Sequence, residues 1–309
     1  RMRHGGGALD RTGEEGLRRL PEAHADASPP SDKDGRQLRS ASLTRRCLMG
    51  CKVGLALGGG GARGIAHLGV YQRLAELGVP MHCIAGTSIG AIVGAIAAAG
   101  NVDRALEWCS LPDWKKLPKL MFETSLTAKA LTPGKRVEAL LDELIGAKDF
   151  SELEIPFAAV ATDLYTGDRV VMNEGVLLSA VRASMSIPGV FPPVERDGRI
   201  LVDGQLVDPV PVSVCRAMGA DVVIAVDINP PNDPSGMKPY SRFNMVDVLT
   251  STFNILNGRL TKRVLAEDRP EVLICPKVGG VLALDFRHAG RLVEIGRQAV
   301  DDADILSLK

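Results

Sequence analysis

The chain has 309 residues, 45% of them apolar and 24% charged, an ordinary globular composition that excludes a collagenous, coiled-coil or wholly disordered protein. Thirty-seven basic residues balance thirty-seven acidic ones and aromatics are 4%, so neither a basic field nor a set of stacking platforms exists to hold nucleic acid. Six cysteines (Cys47, Cys51, Cys83, Cys109, Cys215, Cys275) lie scattered without CxxC or Cys/His spacing, which indicates neither a disulfide framework nor a zinc site and favours a reducing compartment.

Residues 1–50 contain no aromatic, Val or Ile, and carry ten Lys/Arg and seven Asp/Glu. Such a segment cannot bury enough apolar area to offset chain entropy, and it is predicted to be a disordered leader. Met49, just before the first apolar run, is the expected natural start, with 1–48 either upstream-derived or a genuine flexible tail. Val53–Leu57 reads as a short buried strand ending in Gly58-Gly59-Gly60-Gly61. A helix is expected from Ile65, with Val70, Leu74 and Leu77 on one face and Gly78 and Pro80 as its stop. His82–Ala85 is the next strand, running through Gly86-Thr87-Ser88-Ile89-Gly90 into an Ala-rich helix that ends near Gly100. Cys83–Gly100 is uncharged for 18 residues, the minimum for a membrane span, but its Gly/Ala content and Thr87-Ser88 read better as a buried strand, turn and helix.

Residues 111–150 are predicted helical but irregular, broken by Pro112, Pro118, Pro133 and Gly134. Trp114, Lys115, Lys116, Lys119, Met121 and Phe122 within it read as a solvated amphipathic surface, or as a lid touching an anionic lipid surface. Strands are expected at Phe157–Thr162, Tyr165–Met172 (a hairpin arm after Thr166-Gly167-Asp168), Arg199–Val202, Asp221–Ile228 and Val272–Ile274. Helices are expected at Val176–Ser186, Arg242–Glu267 and Phe286–Ala303. The alternation predicts an α/β fold, with a mainly parallel central sheet covered by helices on both faces and residues 51–309 as one domain.

Three motifs carry chemistry. Gly59-Gly60-Gly61-Ala62-Arg63-Gly64 sits between a strand and a helix and formally matches the dinucleotide pattern GxGxxG. The next strand ends in Gly86-Thr87-Ser88 without the carboxylate a ribose needs, and no Gly-Lys-Ser/Thr follows, so a nucleotide P-loop is excluded. What the loop does offer is backbone N–H groups at a helix start, suited to an oxyanion. Gly86-Thr87-Ser88-Ile89-Gly90, 25 residues after Gly61, has the Gly-x-Ser-x-Gly form of a nucleophile elbow. Asp203-Gly204-Gln205 follows the strand Arg199–Val202. Among the five histidines, His67 and His82 lie in packed-looking elements before Ser88, and His4 and His24 are in the leader. His288 alone stands in the Ser…Asp…His order of α/β-hydrolases.

Taken together, Gly-Gly-Gly-x-Arg-Gly, Gly-x-Ser-x-Gly, Ala183-Ser184-Met185-Ser186-Ile187-Pro188 and Val202-Asp203-Gly204 resemble the patatin-like phospholipases, over Lys52–Asn229 most closely. The resemblance implies a patatin-like three-layer fold and a Ser–Asp dyad without histidine. Ser88 would be the nucleophile and Asp203 the base, with Gly59, Gly60, Gly61 and nearby Arg63 forming the oxyanion hole. It implies a lipid acyl hydrolase acting on phospholipids, lysophospholipids or short acyl esters, without cofactor or metal. Transient contact with a membrane surface goes with that reading, in a cytoplasmic or peripherally bound protein that needs no nucleic acid partner. The family usually has Gly or Ala where this chain has Gln205, a side chain large enough to crowd the dyad or narrow the acyl pocket. Two alternatives stay open on the residues: a His288-dependent esterase or thioesterase, and a dinucleotide-binding or regulatory module built on the GxGxxG loop.

Overall fold

Val53–Leu57, the first strand (β1), is buried along its whole length because its two faces serve two separate cores. Val53, Leu55 and Leu57 pack into the larger cluster, and Ala56 between them packs into the smaller. A strand that alternates between two cores must be covered by helices on both faces, which is the physical content of the predicted α/β class. The computed structural model describes residues 50–110, 134–229, 245–281, 285–303 and 305. The leader, Met49 and the Trp114–Phe122 segment therefore lie outside the described residues.

In chain order, β1 passes through the glycine loop and one 3-10 turn (Gly61–Ile65) into α1 (Ala66–Glu76), followed by β2 (Met81–Thr87), α2 (Ile89–Ala98), α3 (Val102–Ser110) and α4 (Gly134–Ile145). Then come β3 (Phe157–Asp163), β4 (Arg169–Met172), α5 (Leu177–Ser184), β5 (Val194–Arg196), β6 (Arg199–Asp203) and α6 (Val212–Ala217). β7 (Val222–Val226), α7 (Met245–Asp268), β8 (Val272–Ile274) and α8 (Ala289–Asp302) complete the described chain. The uncharged run Cys83–Gly100 is β2, the elbow and α2. Among the described residues, no helix is long and apolar enough to cross a membrane.

The sheet order is β5-β6-β3-β2-β1-β7-β8, with β4 also paired to β3. β8, β7, β1, β2 and β3 are mutually parallel, whereas β4, β6 and β5 run antiparallel to their neighbours. The larger core includes Val70 and Leu74 of α1, Ile96 of α2, Leu177 of α5 and Leu292 of α8, and the smaller one receives Val212 and Cys215 of α6 and Leu265 of α7. Full burial of each such Leu or Ile contributes roughly 2 kcal/mol. Three elements were not predicted. α6 is too short for a clear periodicity and β5 is a three-residue edge strand beside a tight turn, whereas α3 buries Val102, Ala105 and Cys109 at a helical spacing that the sequence does carry.

The register around β3 positions the site. β4 pairs with Ala159–Thr162 of β3, so β2, which overlaps it at Ala159–Val160, and β6, which overlaps it at Ala161–Thr162, both occupy the opposite edge. On that edge β2 ends with Thr87 opposite Val160, and β6 ends with Asp203 opposite Ala161. Two strands of opposite direction thus meet end to end, and the residues at their tips face each other.

Candidate active site

The glycine loop extends the pairing of β1. Gly58 N–H donates to Val226 O and Gly59 N–H to Pro209 O, both at 3.0 Å. Three loop carbonyls are fastened by side chains: Gly58 O by His67 Nε2 at 2.7 Å, Gly59 O by Asn229 Nδ2 at 3.0 Å, and Gly60 O by Arg63 Nε at 3.1 Å. A carbonyl only accepts, so His67 Nε2 carries the ring proton, and the buried Nδ1 has no partner among the described residues. Burial lowers His67 to about 4, against the smaller raising effect of the Gly58 carbonyl, so the ring is neutral near neutral pH. Gly61 takes φ 62°, a left-handed conformation that favours glycine. Among the described residues no backbone acceptor takes the N–H of Gly60 or Gly61.

Ser88 stands between β2 and α2 with φ 58° and ψ −123°, which is rare for a residue with a side chain. The turn closes only with glycine on either side. A β-carbon on Gly86 would strike the backbone of Gly90, and one on Gly90 would strike Leu57 O. The bend is braced from α5: Ser88 N–H donates to Ser184 Oγ at 2.9 Å, and Ser184 Oγ donates to Val160 O at 2.6 Å. Ser88 caps the N-terminus of α2, where the helix dipole favours negative charge.

Asp203 completes the pair. Ser88 Oγ donates to Asp203 Oδ2 at 2.6 Å, with Ser88 2% and Asp203 0% exposed. The other carboxylate oxygen, Oδ1, accepts Gln205 N–H at 2.8 Å. The Asp203 backbone is held as well: its N–H donates to Ser186 O at 3.0 Å, and its carbonyl accepts Thr162 Oγ1 at 2.9 Å. Desolvation pushes the Asp203 carboxyl up to about 7, although the bonds from Ser88 and Gln205 pull it down. A carboxylate so raised, bonded to a serine hydroxyl at a helix start, has the chemistry to take a proton from that hydroxyl.

Of the residues singled out from sequence, Gly86, Ser88, Gly90, Asp203 and the glycine loop come together. Gly59 N–H is already committed to Pro209, so it has no donor to offer an oxyanion. Arg63 is 8% exposed and its Nε is turned onto Gly60 O. His67 braces the loop. His82 is half-buried in β2, not buried as expected. His288 caps α8 and lies 3.7 Å from Asp285, which the Arg287 guanidinium already holds at about 2. Ser88 and Asp203 bond to each other, and His288 bonds to neither. Gln205 is buried, and a β-carbon placed on Gly59 would overlap its Cγ, Cδ and Oε1. Ser184 lies in a motif quoted above without a role, whereas nothing in the sequence singles out Asn229. Among the described residues no group of three His, Cys, Asp or Glu side chains is disposed to hold a metal.

A three-layer α/β fold with a serine elbow bonded to a buried carboxylate defines the class of this protein. The chain belongs to the patatin-like phospholipase family, whose model, described as patatin-like phospholipase, matches residues 55–216. It is similar to an uncharacterized NTE family protein of Mycobacterium tuberculosis, 40% identical over 189 residues, covering 61% of this chain and 52% of that one. It is also similar to patatin-like phospholipase domain-containing protein 7 of Rattus norvegicus, 30% identical over 285 residues, covering 83% of this chain and 21% of that one. The chain thus spans about half the length of the Mycobacterium relatives and less of the rat protein. Among solved structures, VipD from Legionella pneumophila aligns with a TM-score of 0.44 at 13% identity, covering 82% of this chain and 67% of that chain. The glycine loop, the elbow, Ser184 and Asp203 fall within the matched residues, and Asn229 falls beyond them.

Proposed function

We propose that residues 51–309 form a catalytic domain that hydrolyses carboxylic esters of lipids through an acyl-enzyme on Ser88, with Asp203 as the only base. The observation that carries this reading is the 2.6 Å bond between two buried groups, Ser88 Oγ and Asp203 Oδ2. Asp203 takes the Ser88 proton as Oγ attacks the ester carbonyl, and the N–H groups of Gly60 and Gly61 receive the charge that develops on the carbonyl oxygen. The carboxyl returns its proton to the leaving alcohol. It then accepts one from the water that releases the acid, and Ser88 is regenerated. Because Oδ1 is tied to Gln205 N–H, Oδ2 stays aimed at the nucleophile through both halves of the cycle. No step requires a metal or cofactor. Lipid esters place the domain at a membrane surface transiently, which is compatible with a cytoplasmic, peripherally bound protein.

The test is turnover of a short-chain chromogenic ester and of phospholipid vesicles, together with labelling by an alkyl fluorophosphonate. Wild type should turn over and be labelled on Ser88, and Ser88→Ala should do neither. Labelling elsewhere, or full turnover by Ser88→Ala, rejects the assignment.

A further inference from the structure

We propose that Asn229 is a positioning residue of the oxyanion hole, holding the Gly59–Gly60 peptide so that the Gly60 N–H faces the reacting carbonyl. The inference rests on the hydrolase reading above and extends it to a residue outside the family match.

In a trans peptide the C=O and N–H point in opposite directions, so whatever pins the carbonyl of one residue sets the direction of the next residue's N–H. Asn229 Nδ2 pins Gly59 O at 3.0 Å, which turns the Gly60 N–H to the far side. Arg63 Nε does the same for Gly60 O, and so for the Gly61 N–H. These are the two loop N–H groups that no described backbone acceptor takes. The preceding peptide is arranged differently. Its carbonyl goes to His67 and its N–H to Pro209, so it anchors the loop and leaves nothing to donate.

Asn229 is itself placed by the strand that continues into it. β7 pairs with β1 up to Leu57 opposite Val226, and the chain runs on as Asp227-Ile228-Asn229 alongside the loop. Asp227 Oδ1 accepts Asn229 N–H at 2.9 Å, which fixes the backbone from which the amide reaches over. Ile228 is fully buried, and a β-carbon on Gly60 would lie 2.8 Å from its Cδ1 and 3.3 Å from Asn229 Oδ1. The Asp227 carboxylate also favours the charged form of Arg63, against the desolvation that lowers it. One short segment after β7 therefore supplies the side chain that pins Gly59 O.

The elbow faces the same loop. Gly90 packs against Leu57 O and Gly58 O, and Gly64 packs against Ile89, the residue after the nucleophile. The loop is thus fastened to β7 and the residues after it by the Gly58 N–H bond to Val226 and by Asn229, is braced from within by Arg63, and abuts the serine turn on the other side.

The experiment uses the full chain and two readouts: steady-state hydrolysis of a short-chain ester, and inhibition by an alkyl trifluoromethyl ketone. In the ketone adduct Ser88 Oγ bonds to the carbonyl carbon, the π pair moves onto oxygen, and the serine proton moves to Asp203. The oxyanion then sits where the N–H groups point. Asn229→Ala should lower kcat roughly 10- to 100-fold with KM within about twofold, and should weaken the ketone by the same factor. Asn229→Gln, which keeps an amide donor, should recover part of both. Circular dichroism and thermal melting establish that each variant is folded. Unchanged kcat and ketone affinity in folded Asn229→Ala overturn the inference, as does a loss of activity in which KM rises and ketone affinity is unmoved. A wild-type chain that neither turns over esters nor binds the ketone overturns the hydrolase reading itself, and the inference with it.

Discussion

Gln205 lies against Gly59: the side chain that follows the Asp203 turn fills the space over this loop glycine that a β-carbon would take. Gly59 itself has no left-handed φ, so the constraint there is this contact and not the backbone. Gly59→Ala should therefore lose turnover and stability, while Gly59→Ala combined with Gln205→Gly should regain much of both. A double-mutant cycle on melting temperature and kcat measures the coupling, expected at roughly 1 kcal/mol or more for groups in direct contact. Strict additivity would show that the two residues do not share the space.

If Asp203 is the base, activity and stability should move in opposite directions with pH. With its carboxyl pushed up to about 7, the base is protonated below that pH, so kcat/KM should rise about tenfold per unit up to a plateau above it. Unfolded, the same carboxyl titrates near 3.9. Between these values the unfolded chain releases a proton that the folded chain retains, so folding stability falls as pH rises across the window. The full loss, on the order of 4 kcal/mol, is reached above the folded value. Asp203→Asn should be almost inactive, and its gain in melting temperature over wild type should be larger at pH 8 than at pH 5. An equal gain at both would mean that Asp203 is not the group responsible.

His288 sits at the solvent end of α8 beside Asp285, so His288→Ala should keep more than about a tenth of wild-type turnover, a barrier change under about 1.4 kcal/mol. An inactive His288→Ala alongside an active Asp203→Asn would make this chain a triad esterase.

Gly61 combines a left-handed backbone with an N–H that no described acceptor takes. Gly61→Val should cost turnover roughly 100-fold, the loss of one oxyanion donor, in a chain that still folds. Near-normal kcat in the folded variant would place the oxyanion donors elsewhere.

Ser184 carries the strain of the elbow. Its hydroxyl satisfies Ser88 N–H and donates to Val160 O in a fully buried position. Ser184→Ala leaves both groups unpaired and should destabilise the fold by about 1–3 kcal/mol, with kcat falling more than KM changes. Wild-type stability and kcat together would show that the elbow holds without it.

What the sequence determined by itself was local: the glycine loop, the Gly-x-Ser-x-Gly turn and the Asp-Gly after a strand are each readable because they depend on backbone conformation over a few residues. The α/β class was legible for the same reason, since β1, β2, β3 and β7 are short apolar runs bounded by glycine, proline or aspartate. Only the tertiary structure decided that Ser88 and Asp203, 115 positions apart, meet at 2.6 Å. They do so because β2 and β6 share one edge of β3 and end at neighbouring rungs. It also decided which glycine N–H groups find no backbone acceptor among the described residues, since Gly59 loses its donor to Pro209 and its carbonyl is held by Asn229, 170 positions away. Hydrogen bonds between residues that far apart leave no periodicity in the chain. They follow from strand register and from how the two cores pack around the sheet.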